Sequence, residues 1–161
     1  MKKRKKILIS LLTVLIIGFL LPQNLKMPVD GAGKSSYHTQ SFWFYPWGKS
    51  ITHNGVDIFA KKGTAIHTAT YGLVLHSGKI SLGGNFVLIL GPKWRLHYYA
   101  HLDEIKTSRL SFVNMKSLIG SVGATGNAAG KPPHLHYSIL TPVPYVWRMD
   151  SDRQGWKKCF I

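Results

Sequence analysis

Five residues of this chain are suited to act together: His53, Asp57, His101, His134 and His136. They lie in three short segments, His53-Asn54-Gly55-Val56-Asp57, Tyr99-Ala100-His101-Leu102 and His134-Leu135-His136. Imidazole nitrogens and a carboxylate oxygen in this mixture are the usual donors of a catalytic zinc, which takes three protein ligands and keeps one position open. Two further imidazoles would then be left for proton transfer. A structural zinc would call for a fourth protein ligand, commonly cysteine. The single cysteine, Cys159, stands near the end of the sequence, where it serves neither a metal nor an internal disulfide.

The elements that hold these residues must give them one shared face. Residues i and i+2 of a strand point the same way, so His134 and His136 project together if His134–Leu140 is a strand, with Leu135 turned into the core. One of the pair could ligate a metal while the other contacts the attacking water. Asn54-Gly55 is a poor helix interior, so His53 and Asp57 are better joined by a tight turn leading into a strand that begins near Val56. His101 ends a strand in which His97, Tyr99 and His101 alternate to one side; His97 could thus approach the site, but reads rather as a surface histidine some residues away.

From about residue 41 onward the chain shows short strands punctuated by glycine. The expected strands are Val56–Phe59, Ala65–Ala69, Gly72–Ser77, Phe86–Leu90, Leu96–His101, Ser117–Val122 and His134–Leu140. Asp103–Lys116 reads as a loop with one helical turn. Helical periodicity is absent after residue 22. The expected fold is all-β, mainly antiparallel sheets in a sandwich or partly open barrel with a groove, preceded by an N-terminal hydrophobic helix.

The 161 residues divide into a targeting segment (1–22), a Pro/Gly/Ser-containing linker (23–40), a domain (41–140) and an aromatic tail (141–161) expected to pack down on the domain. Lys2-Lys3-Arg4-Lys5-Lys6 precedes an uncharged apolar run from Ile7 to Leu21, closed by Pro22. This is the pattern of a signal anchor or a signal peptide. No clear small-x-small cleavage signal follows, which favours the anchor, although the run is short for a bilayer. The basic block would stay cytoplasmic and the rest would be exported. The formal charge of +15 favours anionic partners. For an exported chain these are lipid headgroups and acidic wall polymers. Export and the lack of a recognition motif argue against nucleic acid.

The segments resemble the lysostaphin-like (LytM-type) zinc metalloendopeptidases, which cut peptidoglycan peptides. The resemblance covers roughly residues 41–140. It is carried by the three segments above together with Gly63-Thr64-Ala65-Ile66, Gly83-Gly84-Asn85-Phe86-Val87, Ile119-Gly120, Gly123-Ala124-Thr125-Gly126 and Pro133-His134-Leu135-His136-Tyr137. It implies that His53, Asp57 and His136 bind one zinc ion and that His101 and His134 are the catalytic histidines. It implies a peptidoglycan peptide as substrate; the apolar run of residues 7–21, read on its own, would tether such an enzyme to the membrane, facing the periplasm or cell wall. Two departures stand out: the family's Val-x-x-Gly-x-x-Val stretch is not visible in 108–117, and Trp47 stands where some members place a tyrosine that assists the oxyanion. A non-enzymatic wall-binding or hydrolase-activating relative is the alternative, but such relatives lose members of the five-residue set. A jelly-roll metal oxygenase would leave His101 and the His53/Asp57 spacing unexplained. The sequence points to no particular regulatory partner.

Overall fold

The computed structural model describes residues 2–48, 51–149 and 155–161. After helix α1 (Lys2–Leu20) come eight strands: β1 (Val56–Phe59), β2 (Ala65–His67), β3 (Gly72–Ile80), β4 (Gly84–Leu90), β5 (Leu96–Ile105), β6 (Phe112–Val113), β7 (Leu118–Val122) and β8 (His134–Leu140). All the pairings are antiparallel. The strands form one open sheet in the order β1-β8-β5-β4-β3-β6, with β7 pairing both β5 and β2 as a side branch. The expected β-structure is therefore present as a single branched sheet, not as two stacked sheets or a closed barrel. The branch exists because β5 is ten residues long and uses its two halves differently. Residues Leu96–Ala100 pair with β8, and Leu102 and Ile105 pair with β7. This extension of β5 (to Ile105) and the two-residue β6 interrupt the segment expected to be a loop, Asp103–Lys116, whose remaining residues are turns and irregular chain without a helical turn.

The core lies between the main sheet and the β2–β7 branch. Ile66, Val74, Val87, Ile89, Tyr99, Leu102, Ile119, Val122 and Leu135 are fully buried there. These are the β-branched, leucine and aromatic side chains that pack well on a pleated surface.

Within residues 23–40, expected as a linker, the stretch 26–30 lies against the sheet. The Lys26 N–H donates to Ala69 O (2.8 Å), the His67 N–H to Pro28 O (2.8 Å) and the Asp30 N–H to Ala65 O (3.1 Å). Val29 pairs with Ile66 and joins the core. The physical reason is that β2 would otherwise leave an edge of unpaired backbone groups.

In α1 the basic block occupies the first turns, and the helix ends at Leu20. Among the described residues no helix is long and apolar enough to cross a membrane. The far end of α1 is held by the turn Pro92–Trp94: Trp94 Nε1–H donates to Leu15 O (2.8 Å) and Lys93 Nζ to Phe19 O (3.3 Å). Gly18 makes this approach feasible, since a Cβ there would come within 2.2 Å of the Trp94 ring.

The tail folds back on itself, with Thr141 N–H to Phe160 O (2.9 Å) and Tyr145 N–H to Cys159 O (2.8 Å), and meets the domain where Arg95 donates to Tyr145 Oη (3.5 Å). Cys159 is buried, but Trp147 and Trp156 stand 76% and 60% exposed, so these two aromatics are not packed down as expected. Residues 150–154 of the tail lie outside the described residues.

His97 is fully buried on the opposite side of β5 from the groove described below. Its Nδ1 meets Tyr137 Oη at 2.7 Å and its Nε2 meets Gln23 Nε2 at 3.2 Å. Burial first, and the nearby Arg95 cation second, push its imidazole from 6.5 down to about 4. Below pH 6.5 the unfolded chain therefore binds a proton that folded His97 refuses. Its contribution is fully present above pH 6.5 and is lost as pH falls toward 4. The slope is at most about 1.4 kcal/mol per pH unit for each such proton. Urea unfolding at pH 7 and pH 5 should show this loss, with a shallower pH dependence in His97→Gln. Equal pH dependence in the two proteins would contradict it.

Candidate metal centre and groove

Register brings the five residues together. In the β1–β8 pairing Asp57 stands opposite His136 and Phe59 opposite His134. In the β5–β8 pairing Ala100 stands opposite His136, so a methyl group leaves room for the imidazole. The two histidines of β8 share one face, as their i, i+2 spacing requires.

His53 arrives from the preceding loop. Its backbone is clamped by Trp43 N–H to His53 O (2.7 Å) and His53 N–H to Phe44 O (3.0 Å). The turn at Asn54-Gly55 then carries the chain into β1. Gly55 is required there because an added Cβ would lie 2.4 Å from Ser138 Oγ, 2.6 Å from Tyr137 O and 2.8 Å from His136 Cε1.

His101 reaches the site by a route the strand pattern does not contain. Tyr99 pairs with Val87 and Leu102 with Asn85, so Ala100 and His101 together oppose Phe86 alone. This is a β-bulge, which re-aims a side chain at the cost of one ladder bond. His101 adopts φ 66°, a left-handed conformation uncommon outside glycine, and its N–H donates to Gly83 O at 2.8 Å. The bulge takes His101 into the groove, while His97, expected on the same strand face, stays behind the sheet.

The hydrogen bonds on the far side of each ring fix its tautomer. His53 Nδ1 meets Ser41 O at 2.8 Å, His101 Nδ1 meets Thr125 O at 2.9 Å and His134 Nδ1 meets Pro132 O at 2.8 Å. A carbonyl only accepts, so each of these nitrogens carries the proton. His136 Nε2 lies 3.1 Å from Ser138 Oγ, which itself donates to Asn54 O at 2.5 Å and so accepts from the ring. All four imidazoles thus present a lone pair to the centre: Nε2 of His53, His101 and His134, and Nδ1 of His136.

These lone pairs converge on Asp57. His136 Nδ1 and His53 Nε2 lie 2.8 Å and 3.0 Å from Asp57 Oδ1 and 3.1 Å from each other. His134 Nε2 is farther, 3.8 Å from Asp57 Oδ2. Burial pushes the Asp57 carboxyl up, but where protons rather than a metal sit on the facing nitrogens of His136 and His53, their hydrogen bonds and charges outweigh it and hold the group well below the usual carboxylate range. His53, Asp57 and His136 each offer a ligand atom, all within 4.8 Å of one another, and could hold a metal ion. Three electron-pair donors this close repel one another unless a cation lies among them, so the donor set fits a divalent metal. Its mixture of two nitrogens and one oxygen suits zinc.

His101 and His134 lie beside this cluster, with ring centroids 5.0 Å apart. Burial first, and the neighbouring His134 next, push the His101 imidazole down to about 4, so it is neutral at pH 7. All five residues line one groove of about 570 Å³, whose walls include Trp47, Phe59, Leu82 and Tyr98. The structure therefore brings together every expected site residue. Sequence reasoning missed the outer partners. Ser138 was within reach, since it lies at i+2 from His136 on the same strand face. The carbonyls of Ser41, Thr125 and Pro132 carry no signal in residue type.

The fold and site together are those of a family of peptidases. The model described as peptidase family M23 matches residues 51–146, more than half of the chain, and the protein belongs to this family. It is 36% identical over 117 residues to an L-Ala–D-Glu endopeptidase of Bacillus subtilis, covering 66% of this chain and 35% of that protein. It is 30% identical over 116 residues to the peptidoglycan DD-endopeptidase ShyA of Vibrio cholerae, covering 71% of this chain and 26% of that one. The chain spans about a third or less of the length of these curated relatives. Among solved structures, a zinc-containing peptidase from Vibrio cholerae superposes with a TM-score of 0.60 at 27% identity, covering 73% of this chain and 37% of that one. The catalytic domain of lysostaphin from Staphylococcus simulans shares the fold, with a TM-score of 0.58 at 24% identity, covering 73% of this chain and 82% of that one.

Gly55→Ala should loosen the centre although it changes no donor, because the new methyl group displaces His136 or the Tyr137 carbonyl. Metal affinity, read by competition with a chelator, is expected to fall about tenfold or more, the usual cost of disturbing the groups around metal ligands. Unchanged affinity would mean that the turn does not set the site's geometry.

Proposed function

We propose that this protein is a zinc metalloendopeptidase that hydrolyses peptide bonds in peptidoglycan cross-links, with His53, Asp57 and His136 holding one zinc ion and His101 and His134 moving protons. The observation that carries the reading is the division of the imidazole lone pairs. Two of them meet Asp57 Oδ1 within 3.0 Å, while His134 Nε2 stays 3.8 Å from the other carboxylate oxygen and His101 lies beside His134. The names of the curated relatives, peptidoglycan and L-Ala–D-Glu endopeptidases, support the substrate class.

A zinc ion held there would act as a Lewis acid, polarising the scissile carbonyl and lowering the pKa of water to about 7. The chain's own residues do the rest. The groove aligns an extended peptide across the centre and excludes bulk water with Phe59, Leu82 and Trp47. A neutral imidazole, His101 or His134, accepts the proton of the attacking water at Nε2. The water oxygen bonds to the carbonyl carbon, the C–N bond breaks, and the proton held by the imidazole passes to the departing amine nitrogen. The Thr125 and Pro132 carbonyls keep both rings in the tautomer this requires. Such proton transfer is typically worth 10²–10⁴-fold in rate.

The chain is further proposed to work in the cell envelope. Lys2–Lys6 and the apolar run from Ile7 serve as the export segment, cleaved or retained, and the peptidase unit faces the wall. Because residues 26–30 pair alongside β2 and the tail meets the domain through Arg95–Tyr145 and Lys158–Trp43, that unit includes both segments.

Alanine substitution separates the two sets of residues. His53→Ala, Asp57→Ala and His136→Ala should lose bound zinc and activity together. His101→Ala and His134→Ala should keep zinc and lose about 10²–10⁴-fold in turnover. The assay is release of peptide fragments from purified sacculi, identified by mass spectrometry, with zinc measured by atomic emission. Full activity in either His101→Ala or His134→Ala would refute the assignment. No release by the wild-type chain with zinc bound would favour a wall-binding, non-enzymatic role.

A further inference from the structure

His53 is the one proposed ligand that does not sit on a strand, so something other than the sheet has to hold its ring. The Ser41 carbonyl fixes one edge through Nδ1, at 2.8 Å. The backbone bonds to Trp43 and Phe44 fix the Cα. Neither constrains tilt of the imidazole out of its plane. That freedom is taken up by Trp47, whose ring stacks on His53 with centroids 4.2 Å apart and planes 25° apart. On its other side His53 meets the edge of His136, with centroids 4.9 Å apart at 60°.

Trp47 is itself braced. Phe44 packs edge-on against it, with centroids 6.1 Å apart at 78°. Its backbone N–H donates to Ile51 O at 2.8 Å, and the Ile51 N–H donates to Gly48 O at 3.3 Å. Ile51 adopts φ 67°, a left-handed conformation that is costly for a β-branched residue. A loop holds such a conformation only where its surroundings determine it, and here the bend returns Trp47 over the His53 ring.

We infer that Trp47 is a positioning residue. Its aromatic face locks the plane of the His53 imidazole and thereby raises the affinity of the three-donor centre for its cation. The role needs the π face of the side chain and not its N–H, which separates it from donation to the substrate. The inference rests on the reading of His53 as a metal ligand.

The test uses the full chain and zinc alone, titrated against a chromogenic chelator. Trp47→Leu should bind zinc about tenfold or more weakly, and Trp47→Phe should remain within about threefold of the wild type. The activity of Trp47→Leu on sacculi should keep rising with added zinc over a range where the wild type is saturated. Wild-type affinity in Trp47→Leu, or equal weakening in both variants, would overturn the inference. A second readout does not depend on the leucine variant folding. Cobalt(II) added to the wild type should quench tryptophan emission more than in Trp47→Phe, because Trp47 touches a ligand; equal quenching would also overturn it. The affinity readout needs no substrate. A wild type that cleaves no wall peptide but shows the expected zinc affinities would remove the proposed activity and leave Trp47's role standing.

Discussion

A carboxylate buried at the mouth of a β-sheet must be paired, and the site is organised around how Asp57 is paired. Taking an ionised carboxyl out of water costs several kcal/mol unless donors or a cation meet it. Asp57 is 7% exposed, and among the described residues no lysine or arginine bridges to it. Its neighbours are imidazoles, and three of those four rings already commit one nitrogen to a backbone carbonyl elsewhere, the fourth committing its own to Ser138. What the rings offer Asp57 is therefore a set of lone pairs. Such an arrangement is stable in water only with protons or a metal ion between the donors. The same tautomers that create this demand also leave His101 and His134 ready to accept a proton, so one hydrogen-bond pattern serves both parts of the proposed chemistry.

The sheet supplies the precision. Antiparallel register places Asp57 beside His136 to within a single residue, and a one-residue slip of β1 would turn the carboxylate into the core. The centre is thus built on three adjacent strands, β1, β8 and β5, with the stiffest packing directly behind it. Leu135, between the two β8 histidines, and Tyr99, two residues before His101, are fully buried. The two residues that reach the groove by other means, His53 on a loop and His101 at a bulge, are those whose geometry depends on special backbone conformations. They are held by local bonds: His53 by the loop that also carries Trp47, and His101 by the Gly83 carbonyl and Thr125.

Most of this was legible in the sequence where it depended on alternation and turn chemistry. His134 and His136 share a face because the period of a strand is two, and Asn54-Gly55 turns the chain because a Cβ at 55 has no room. The strand boundaries agree closely for the same reason. What alternation could not reveal were its interruptions. The bulge at Ala100–His101 leaves no mark in residue type, so alternation puts His97 and His101 on one strand face although one lies behind the sheet and the other in the groove. Residues 23–40 read as a linker because their Pro, Gly and Ser content suits one. The docking of 26–30, with Val29 buried, comes from a long-range need of β2 for a backbone partner, which no local pattern records. The lysine block and apolar run were plain in the sequence, but the contact between Trp94 and Gly18 joins residues too distant in the chain to be read together.

The division of the two β8 histidines, His136 on the metal and His134 off it, is the claim on which the proposed chemistry turns. Zinc K-edge X-ray absorption on the zinc-loaded full chain measures it directly, because multiple scattering from imidazole rings counts the histidine ligands. Two imidazoles, with the remaining ligands oxygen, is the expected result. Three or more imidazoles would place His134 or His101 on the metal and contradict the division.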